Sequence, residues 1–176
     1  MRVIAGQARE RRLVAPPPDD LRVRPTADRA REALFSILQK WPMGPFLDAC
    51  AGTGAVGVEA WSRGYDPVTC VEAFEPALTS LRRNLEGTRI TLQKANLQHL
   101  GANAFRGQAV IFCDPPYDQA QSLWGQMAGS MARWIAPSGV LVMETDRRTM
   151  LELQNGWELA ETRDYGAARF HFWTPA

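Results

Sequence analysis

A glycine-rich turn between an apolar run and a helical run constrains the fold of this chain more than any other feature. Residues 47–60 open on Leu47, end a short apolar run at Asp48 and then contain two close glycines, Gly52 and Gly54. This order predicts a strand, a tight loop and a helix. Such a loop lets main-chain N–H groups and a helix N-terminus approach a ligand closely. By itself it indicates either a nucleotide-like ligand or a tight turn without one.

A second motif follows a later apolar run. Residues 109–113 have the composition of a buried strand, and they are followed at once by Asp114, Pro115, Pro116 and Tyr117. In open α/β sheets the ligand lies beyond the carboxyl ends of the strands, where the strand order reverses. If the two strands are neighbours at that point, both motifs face one crevice. This arrangement predicts a catalytic site there.

A strand that ends in Asp114, Pro115, Pro116 and Tyr117, downstream of a glycine loop, resembles the S-adenosylmethionine-dependent methyltransferases that methylate exocyclic or amide nitrogen atoms. For that chemistry these residues suit an amino group as the methyl acceptor. Neither proline has an N–H, so we expect the carbonyls here to be uncommitted to local turns. The Asp114 side chain and the Pro115 carbonyl can then accept both hydrogens of an amino group and aim its lone pair at a methyl donor. Tyr117 offers a stacking face for a flipped base, or else it only packs against the protein.

Two polar residues end or follow other predicted strands at the same edge. Glu72 ends the second strand, where a carboxylate can accept two hydrogen bonds from a ribose diol or can simply be solvated. Asn96 follows the third strand, and it is placed in the cofactor site because its amide can pair with an adenine edge. A loop-capping role for Asn96 is the open alternative.

Strands that alternate with helices predict an α/β fold with a doubly wound, mostly parallel sheet. The predicted strands are 45–49, 68–71, 89–93, 109–113 and 140–143, with an antiparallel hairpin of strands at 157–163 and 168–173. The predicted helices are 27–39 with Thr26 as N-cap, 55–63, one from Pro76 to Leu85, 119–134 ended by Pro137 and Gly139, and a short one near 147–153. A short helical or irregular piece is expected at 96–104.

The first 25 residues fall outside this alternation and are rich in arginine. Residues 2–5 and 12–15 can pair as a hairpin, and the prolines at 16–18 force an extended loop. The predicted division is therefore a basic arm at 1–25 and a catalytic domain at 26–176. Arginine suits phosphate, so the arm indicates a polyanion partner or else a solvated charged edge. The predicted RNA-binding residues are Arg2, Arg9, Arg11, Arg12, Arg22 and Arg24.

Composition narrows the remaining classes. The 176 residues carry a net charge of +1, and no apolar run reaches the roughly 18 residues of a membrane span. The start of the chain has no signal-peptide pattern. The cysteines at 50, 70 and 113 lack C-x-x-C spacing, and the only histidines lie at 99 and 171. We therefore expect reduced thiols, no metal, no membrane and a cytoplasmic location.

The chain resembles a known family over essentially its whole length. Residues 24–36, the glycine loop with residues 59–64, and the motif from Asp114 to Tyr117 together look like the bacterial 16S rRNA guanine-N2 methyltransferases of the RsmD family. The resemblance implies a class I, Rossmann-like fold with a seven-stranded sheet, one strand of it antiparallel, and an N-terminal extension that helps hold RNA. It implies S-adenosylmethionine as methyl donor and 16S rRNA, or the assembling small ribosomal subunit, as partner. The residues carried over to the cofactor are Asp48, Ala51, Gly52, Gly54 and Glu72, and Asp114, Pro115, Pro116 and Tyr117 would hold the guanine amino group.

The chain also departs from the family pattern. Cys50 stands where an aromatic residue is usual, Phe74 where an acid is frequent, and Ala8 where a bulkier residue is usual. Glu10 stands where the family's basic hairpin turns on a glycine. These departures concern the adenosine pocket and the grip of the hairpin on RNA, and they leave the predicted reaction unchanged.

Other functions remain open at this point. An N6-adenine nucleic-acid methyltransferase uses the same tetrapeptide but usually has a larger target-recognition region. A glutamine-directed protein methyltransferase usually has Asn in place of Asp114. A dinucleotide-dependent oxidoreductase is disfavoured because the glycines at 52, 54 and 57 are taken to fall short of a full G-x-G-x-x-G pattern. A non-catalytic RNA-binding module is disfavoured by the intact residues from Asp114 to Tyr117.

Overall fold

The computed structural model describes residues 1–15 and 28–176 of the chain. The strands are β1 (Phe46–Asp48), β2 (Val68–Glu72), β3 (Thr91–Lys94), β4 (Gln108–Cys113), β5 (Ile135–Asp146), β6 (Trp157–Tyr165) and β7 (Ala168–Pro175). The α-helices are α1 (Asp28–Leu38), α2 (Ala55–Ser62), α3 (Glu75–Leu85) and α4 (Ala120–Trp134). Two 3₁₀ turns lie at Leu97–His99 and Tyr117–Gln119.

The strands form one seven-stranded sheet in the order β3-β2-β1-β4-β5-β7-β6. The pairs from β3 through to β5 are parallel, and β7 is antiparallel to both of its neighbours, β5 and β6. The predicted α/β class, the number of strands and the single antiparallel strand are therefore confirmed. The strand order reverses between β1 and β4, as the crevice hypothesis requires.

The core lies on both faces of this sheet because successive side chains of a strand point to opposite faces. Residues of even number in β1, β4 and β5 pack with α1 and α2, including Phe46, Phe112 and Val142. Residues of odd number in the same strands, including Leu47 and Ile111, pack with α4. Burial on both faces explains why these strands are almost uniformly apolar.

Two predicted details at the C-terminal half are wrong. Pro137 and Gly139 do not end the preceding helix, because α4 stops at Trp134 and both residues lie inside β5. They fall where the pairing of β4 with β5 shifts its register, between Gln108 and Val110. The helix predicted near 147–153 is absent, because main-chain groups of Glu152 hydrogen-bond to side chains of α4 instead of to their own turn.

The first 15 residues fold back on themselves as a short hairpin with a single bridge, between Arg2 and Arg12. Val3 N donates to the Arg11 carbonyl at 2.9 Å, and Leu13 N donates to the Met1 carbonyl at 3.1 Å. The predicted pairing of residues 2–5 with 12–15 is therefore present in this reduced form. The proline-rich loop, Arg22, Arg24, and the helix start with its Thr26 cap lie outside the described residues.

No helix within residues 1–15 and 28–176 combines the length and apolarity needed to cross a membrane.

Candidate active site

The two sequence motifs lie at the same edge of the sheet. Asp48, the last residue of β1, pairs with Phe112 of β4, and Ala49 N donates to the Phe112 carbonyl at 2.7 Å. The glycine loop leaves β1 directly after this contact, and Asp114 leaves β4 two residues beyond Phe112. The predicted meeting of the two motifs at one crevice follows from this pairing.

Glycine is needed at three positions of the loop and of the helix that follows it, for different structural reasons. Gly52 and Gly54 have φ values of 53° and 77°, a region that favours glycine. A Cβ on Gly54 would lie 2.4 Å from Leu81 Cδ1, and one on Gly57 would lie 2.4 Å from Cys70 Sγ. The glycines at 54 and 57 therefore let α2 pack closely on α3 and β2.

These three glycines do follow the G-x-G-x-x-G spacing. The expectation that the loop falls short of that pattern is wrong. The glycine spacing therefore does not separate a methyltransferase from a dinucleotide-dependent enzyme, and other observations have to do so.

Asp48 is buried beneath the loop. Its Oδ2 accepts a hydrogen bond from Gly57 N at 2.9 Å, which fixes the first turn of α2, and its Oδ1 is buried without a hydrogen-bond partner among the described residues. Burial raises the pKa of Asp48 to about 7, and the charge of Glu72 adds to the rise. This placement makes Asp48 a positioning residue for the loop.

Asp48 and His171 should give the stability of the protein opposing dependences on pH. An acid whose pKa is raised on folding favours the folded state below its ordinary pKa, and this contribution is lost as pH rises from about 4 to about 7. Burial lowers the pKa of His171 to about 4, so its contribution is present above its ordinary pKa of 6.5 and is lost as pH falls from there. Asp48→Asn, which keeps an acceptor for Gly57 N, should remove the first effect.

The measurement is urea unfolding of wild type, Asp48→Asn and His171→Gln between pH 4.5 and 7.5. The stability of Asp48→Asn relative to wild type should rise with pH by roughly 2–4 kcal/mol, and that of His171→Gln should fall. A relative stability of Asp48→Asn that stays constant across this range would contradict the raised pKa.

Glu72 holds the loop from the end of β2. Its Oε2 accepts from Gly52 N at 2.7 Å, and its Oε1 accepts from Ala73 N at 2.8 Å and Phe74 N at 2.7 Å. A carboxylate offers about four acceptor positions, so Glu72 keeps capacity for a ligand hydroxyl. Ala51 N donates to the Val71 carbonyl at 2.9 Å, which ties the loop to β2 as well.

Asn96 caps the 3₁₀ turn that follows β3. Its side-chain oxygen accepts from Gln98 N at 3.0 Å. Of the two alternatives given by the sequence, the structure therefore shows the capping role. A contact between Asn96 and adenine stays a prediction.

The acceptor motif leads from β4 into α4. Asp114 and Tyr117 are both partly exposed, whereas Pro115 is buried between them. The Pro116 carbonyl accepts from Gln119 N at 2.8 Å, so this carbonyl is committed to the 3₁₀ turn. The expectation that the carbonyls here are free of local turns is therefore wrong for Pro116. The acceptor pair predicted for an amino group does not include Pro116, because it consists of the Asp114 side chain and the Pro115 carbonyl.

All three cysteines are free, as predicted. Cys50 in the glycine loop and Cys113 at the end of β4 approach to 3.7 Å between their sulfur atoms. The interaction with Cys113, together with burial, raises the pKa of the Cys50 thiol. At the position where the family usually has an aromatic residue, this chain therefore has Cys50, whose thiol faces the Cys113 thiol at the end of β4. Within the described part of the chain, no group of His, Cys, Asp and Glu could hold a metal ion.

The arm docks on α2 through a buried carboxylate that the sequence did not single out for any role. Glu59 accepts from Ile4 N at 2.8 Å and from Ala5 N at 3.1 Å. It also accepts from Arg63 Nε at 2.7 Å and lies 3.5 Å from Arg31 Nε. The Glu59 and Arg31 side chains are both fully buried. The sequence does contain one indication of this role: Glu59 is the only acid in the predicted helix α2, which is otherwise mostly apolar. A buried carboxylate needs hydrogen-bond or charged partners, so its position indicates that another segment docks there.

The predicted RNA-binding arginines of the arm differ in their surroundings. Arg11 donates from Nη2 to the Asn84 carbonyl at 2.9 Å and the Glu86 carbonyl at 2.7 Å, so it joins the arm to the end of α3. The carboxylate of Glu10 lies 2.7 Å from Arg2 and 3.6 Å from Arg9. Arg12 is exposed. Arg9 and Arg12 are thus better placed than Arg11 to reach a polyanion.

Glu10→Gly should stabilise the protein and tighten the predicted binding of the arm to RNA. Glu10 has a φ of 69°, in the left-handed region where the family has its glycine. Glycine adopts this left-handed conformation without strain, which favours the folded state, but it also gives the unfolded chain more conformational freedom. We expect the first effect to be larger, so the free energy of unfolding should rise by about 0.5–1 kcal/mol. The charge next to Arg2 and Arg9 is lost as well. Thermal unfolding and RNA titration measure the two effects.

Glu10→Ala is the matched control, because it removes the charge and keeps the backbone conformation. It should tighten RNA binding to the same degree without the gain in stability. Equal stability of the two variants would show that the backbone at Glu10 is unstrained.

The order of the strands and the position of both motifs define the class: this is a Rossmann-like methyltransferase fold. The solved structure named yhhF from Escherichia coli superimposes with a TM-score of 0.81 at 25% identity, over 99% of this chain and 97% of that one. The chain matches the family described as "Conserved hypothetical protein 95" over residues 1–174, and it belongs to that family. The resemblance to the RsmD family drawn from the sequence is confirmed.

Several curated relatives carry the name ribosomal RNA small subunit methyltransferase D, among them the following two. The one from Haemophilus influenzae is 28% identical over 186 residues, which cover 98% of this chain and 93% of that protein. The one from Escherichia coli K12 is 37% identical over 125 residues, which cover 66% of this chain and 60% of that protein. Family membership, unlike the glycine spacing, separates this chain from dinucleotide-dependent oxidoreductases.

Proposed function

We propose that this protein transfers a methyl group from S-adenosylmethionine to the exocyclic N2 of a guanine in 16S rRNA. The observation that carries the proposal is the position of Asp114 and Pro115 at the end of β4, next to the glycine loop of β1. The names of the relatives, ribosomal RNA small subunit methyltransferase D, support rRNA as the substrate.

The residues at the crevice fit the cofactor. Glu72 has acceptor capacity left for a ribose hydroxyl, and Gly52 and Gly54 give the loop the left-handed turns that shape it at the edge of the sheet. Ala51 lines the same loop, Asp48 fixes its shape from below, and Asn96 supplies the adenine contact. When bound, S-adenosylmethionine supplies a methyl group on a sulfonium, which needs no further activation.

The acceptor side of the reaction is carried by the motif after β4. The Asp114 carboxylate and the Pro115 carbonyl accept the two N–H groups of the guanine amino group, which reduces its conjugation with the ring. The nitrogen lone pair then points at the methyl donor. Tyr117 stacks on the guanine once it has left its own stack, a contact that contributes on the order of 1–3 kcal/mol. Once it has accepted the methyl group, the nitrogen is cationic and acidic and gives one proton to water, so no strong base is needed before attack. Catalysis in this scheme is therefore mainly positioning.

The arm provides affinity for RNA in this proposal. Arg9 and Arg12 contact phosphates, and Arg2 does so beside Glu10. Arg22 and Arg24, which lie outside the described residues, are proposed as RNA-binding residues from the sequence alone. Arg11 contributes through its hold on α3. The rRNA substrate places the protein in the cytoplasm, bound to free rRNA or to an assembling small subunit.

Methyl transfer to RNA from cells that lack this protein tests the proposal. Labelled S-adenosylmethionine is supplied with purified 16S rRNA or with small subunits, and the product is mapped by nuclease digestion and mass spectrometry. We expect one N2-methylguanine. An N6-methyladenine would favour the adenine alternative, and cofactor binding without any transfer to RNA would favour a binding module. Calorimetry with NADH as the competing ligand should show no binding.

A further inference from the structure

The segment of residues 147–153, here called the rim segment, lies beside the acceptor motif. It follows β5, which pairs in parallel with β4 through Cys113 and Met143. β5 continues three residues beyond Met143, so the rim segment begins at the edge of the sheet where Asp114 begins. Since β4 lies between β1 and β5, the glycine loop and the rim segment flank the acceptor motif on opposite sides.

Hydrogen bonds fix both ends of the rim segment. Asp146 Oδ1 accepts from Arg148 N at 2.7 Å and Thr149 N at 2.8 Å, and these bonds hold the pKa of Asp146 below its ordinary value. At the other end, Trp124 Nε1 of α4 donates to the Glu152 carbonyl at 2.8 Å, and Glu152 N donates to Gln121 Oε1 at 3.1 Å. The segment is therefore held in one shape without helix or strand.

This fixed segment holds two large apolar side chains out in solvent. Met150 is 74% exposed and Leu153 is 73% exposed, the two highest values for large apolar residues in the described part of the chain. Leu151 between them packs against the core, which anchors the segment. Apolar side chains that are exposed on an anchored segment next to a site indicate a binding surface.

The charges next to these side chains favour RNA as the partner. Arg147 and Arg148 are both exposed at the start of the segment. The nearest acid to Arg147 is Asp164 at 3.8 Å, and both Asp164 oxygens already bond to Arg169, at 2.7 Å and 3.0 Å. Arginines suit phosphates, and Met and Leu side chains can pack on base faces where stacking is interrupted.

We infer that the rim segment binds the nucleotides that flank the target base, with Met150 and Leu153 on base faces and Arg148 on a phosphate. This inference rests on the proposed function, because a base that enters the crevice must leave its stack and expose its neighbours. It assigns an RNA contact on the opposite side of the acceptor motif from the glycine loop. The described part of the arm, residues 1–15, docks on α2 and α3 and not on this side of the acceptor motif.

The test uses the full chain, with 16S rRNA and a single-stranded RNA fragment around the mapped site as probes. The double variant Met150→Ala, Leu153→Ala should weaken RNA binding and raise KM for RNA about five- to tenfold, the range of one lost base contact. Its melting temperature and its affinity for S-adenosylmethionine should match wild type, because both side chains are exposed. Arg148→Ala should make the slope of log affinity against log salt shallower by about 0.7–0.9.

Matched controls lie away from the crevice, either at the opposite edge of the sheet or on its outermost strand, β6. Met43, 55% exposed, precedes β1, and Leu159, 48% exposed, lies near the start of β6, so the double variant Met43→Ala, Leu159→Ala removes similar apolar area far from the crevice. Arg106→Ala, just before β4, is the control for Arg148→Ala. Neither control should change RNA binding.

Three outcomes separate the possibilities. Rim variants that bind RNA as wild type does, in a wild-type protein that methylates RNA, would overturn the inference and leave the proposed function standing. A loss seen with assembled subunits and not with bare RNA would also overturn it, since the partner would then be a ribosomal protein. A wild-type protein that methylates no RNA would refute the proposed function itself, whatever the variants do.

Discussion

Asp114→Ala is expected to abolish methyl transfer while leaving affinity for S-adenosylmethionine near that of wild type. In the proposed function this residue orients the acceptor amino group, whereas the residues proposed to contact the cofactor lie on the loop after β1 and at the end of β2. Loss of the orienting carboxylate should lower the single-turnover rate by about a hundredfold or more, because the reaction depends on alignment. Single-turnover transfer to 16S rRNA and cofactor calorimetry measure the two quantities.

The neighbouring residue Tyr117 gives the control for this experiment. Tyr117→Phe should keep its activity, since stacking needs the ring and not the hydroxyl, and Tyr117→Ala should be slower. An Asp114→Ala protein that has lost its cofactor affinity would show that Asp114 shapes the cofactor pocket. A Tyr117→Phe protein as slow as Tyr117→Ala would rule out stacking as the role of the ring.

Glu59→Ala is expected to produce the largest loss of stability of any single change to the arm or its docking site. The carboxylate is fully buried and accepts from two main-chain N–H groups of the arm, and it also faces Arg31 and Arg63. Removal leaves the buried Arg31 charge without this partner, a change that usually costs about 3–5 kcal/mol. Thermal and urea unfolding measure the loss, and protease cleavage within residues 1–15 reports whether the arm has left α2.

Glu75→Ala is the matched control, because it breaks a solvent-exposed ion pair with Lys94. Its melting temperature should stay close to that of wild type. Glu59→Gln should fall between the two, since one oxygen remains to accept from the arm. If Glu59→Ala melts as wild type does, the arm must be held by its other contacts, chiefly those to Ser62 and Asn84.

Much of the crevice could be predicted because it depends on contacts that follow from chain order. Parallel strands all present their carboxyl ends at one edge, so residues that end β1, β2 and β4 had to come together once the strands were identified. The antiparallel final hairpin was predictable for a similar reason, since β6 and β7 follow each other without a helix between them. The glycine that the family has in place of Glu10 matches a left-handed φ in the structure.

Other features could not be predicted because they depend on contacts between distant side chains and main chain. The sequence of residues 147–153 suits a helix, and only the bonds from Trp124 and Gln121 show why the segment is not helical. Arg11 looks like the other arginines of the arm until its bonds to the end of α3 are seen. The hydrogen bond from Gln119 N to the Pro116 carbonyl could not be predicted either. A proline lacks an N–H donor but keeps its carbonyl acceptor, so its presence does not exclude a turn that uses the carbonyl.

The contacts between the arm and α2 have a consequence for how such chains diverge. On the arm's side they are made largely by main-chain atoms: the N–H groups of residues 4, 5, 7 and 8 and the carbonyl of Ala5. Their partners, Glu59 and Ser62, both belong to α2. Mutations at residues 8–10 can therefore accumulate without loosening the attachment of the arm, which leaves those side chains open to selection for the proposed RNA surface, whereas a Cβ at Gly6 would lie 1.8 Å from the Ser62 carbonyl oxygen. In homologues that keep Glu59 and Ser62, we therefore expect that the turn of the arm can be exchanged between proteins without loss of its docking on α2.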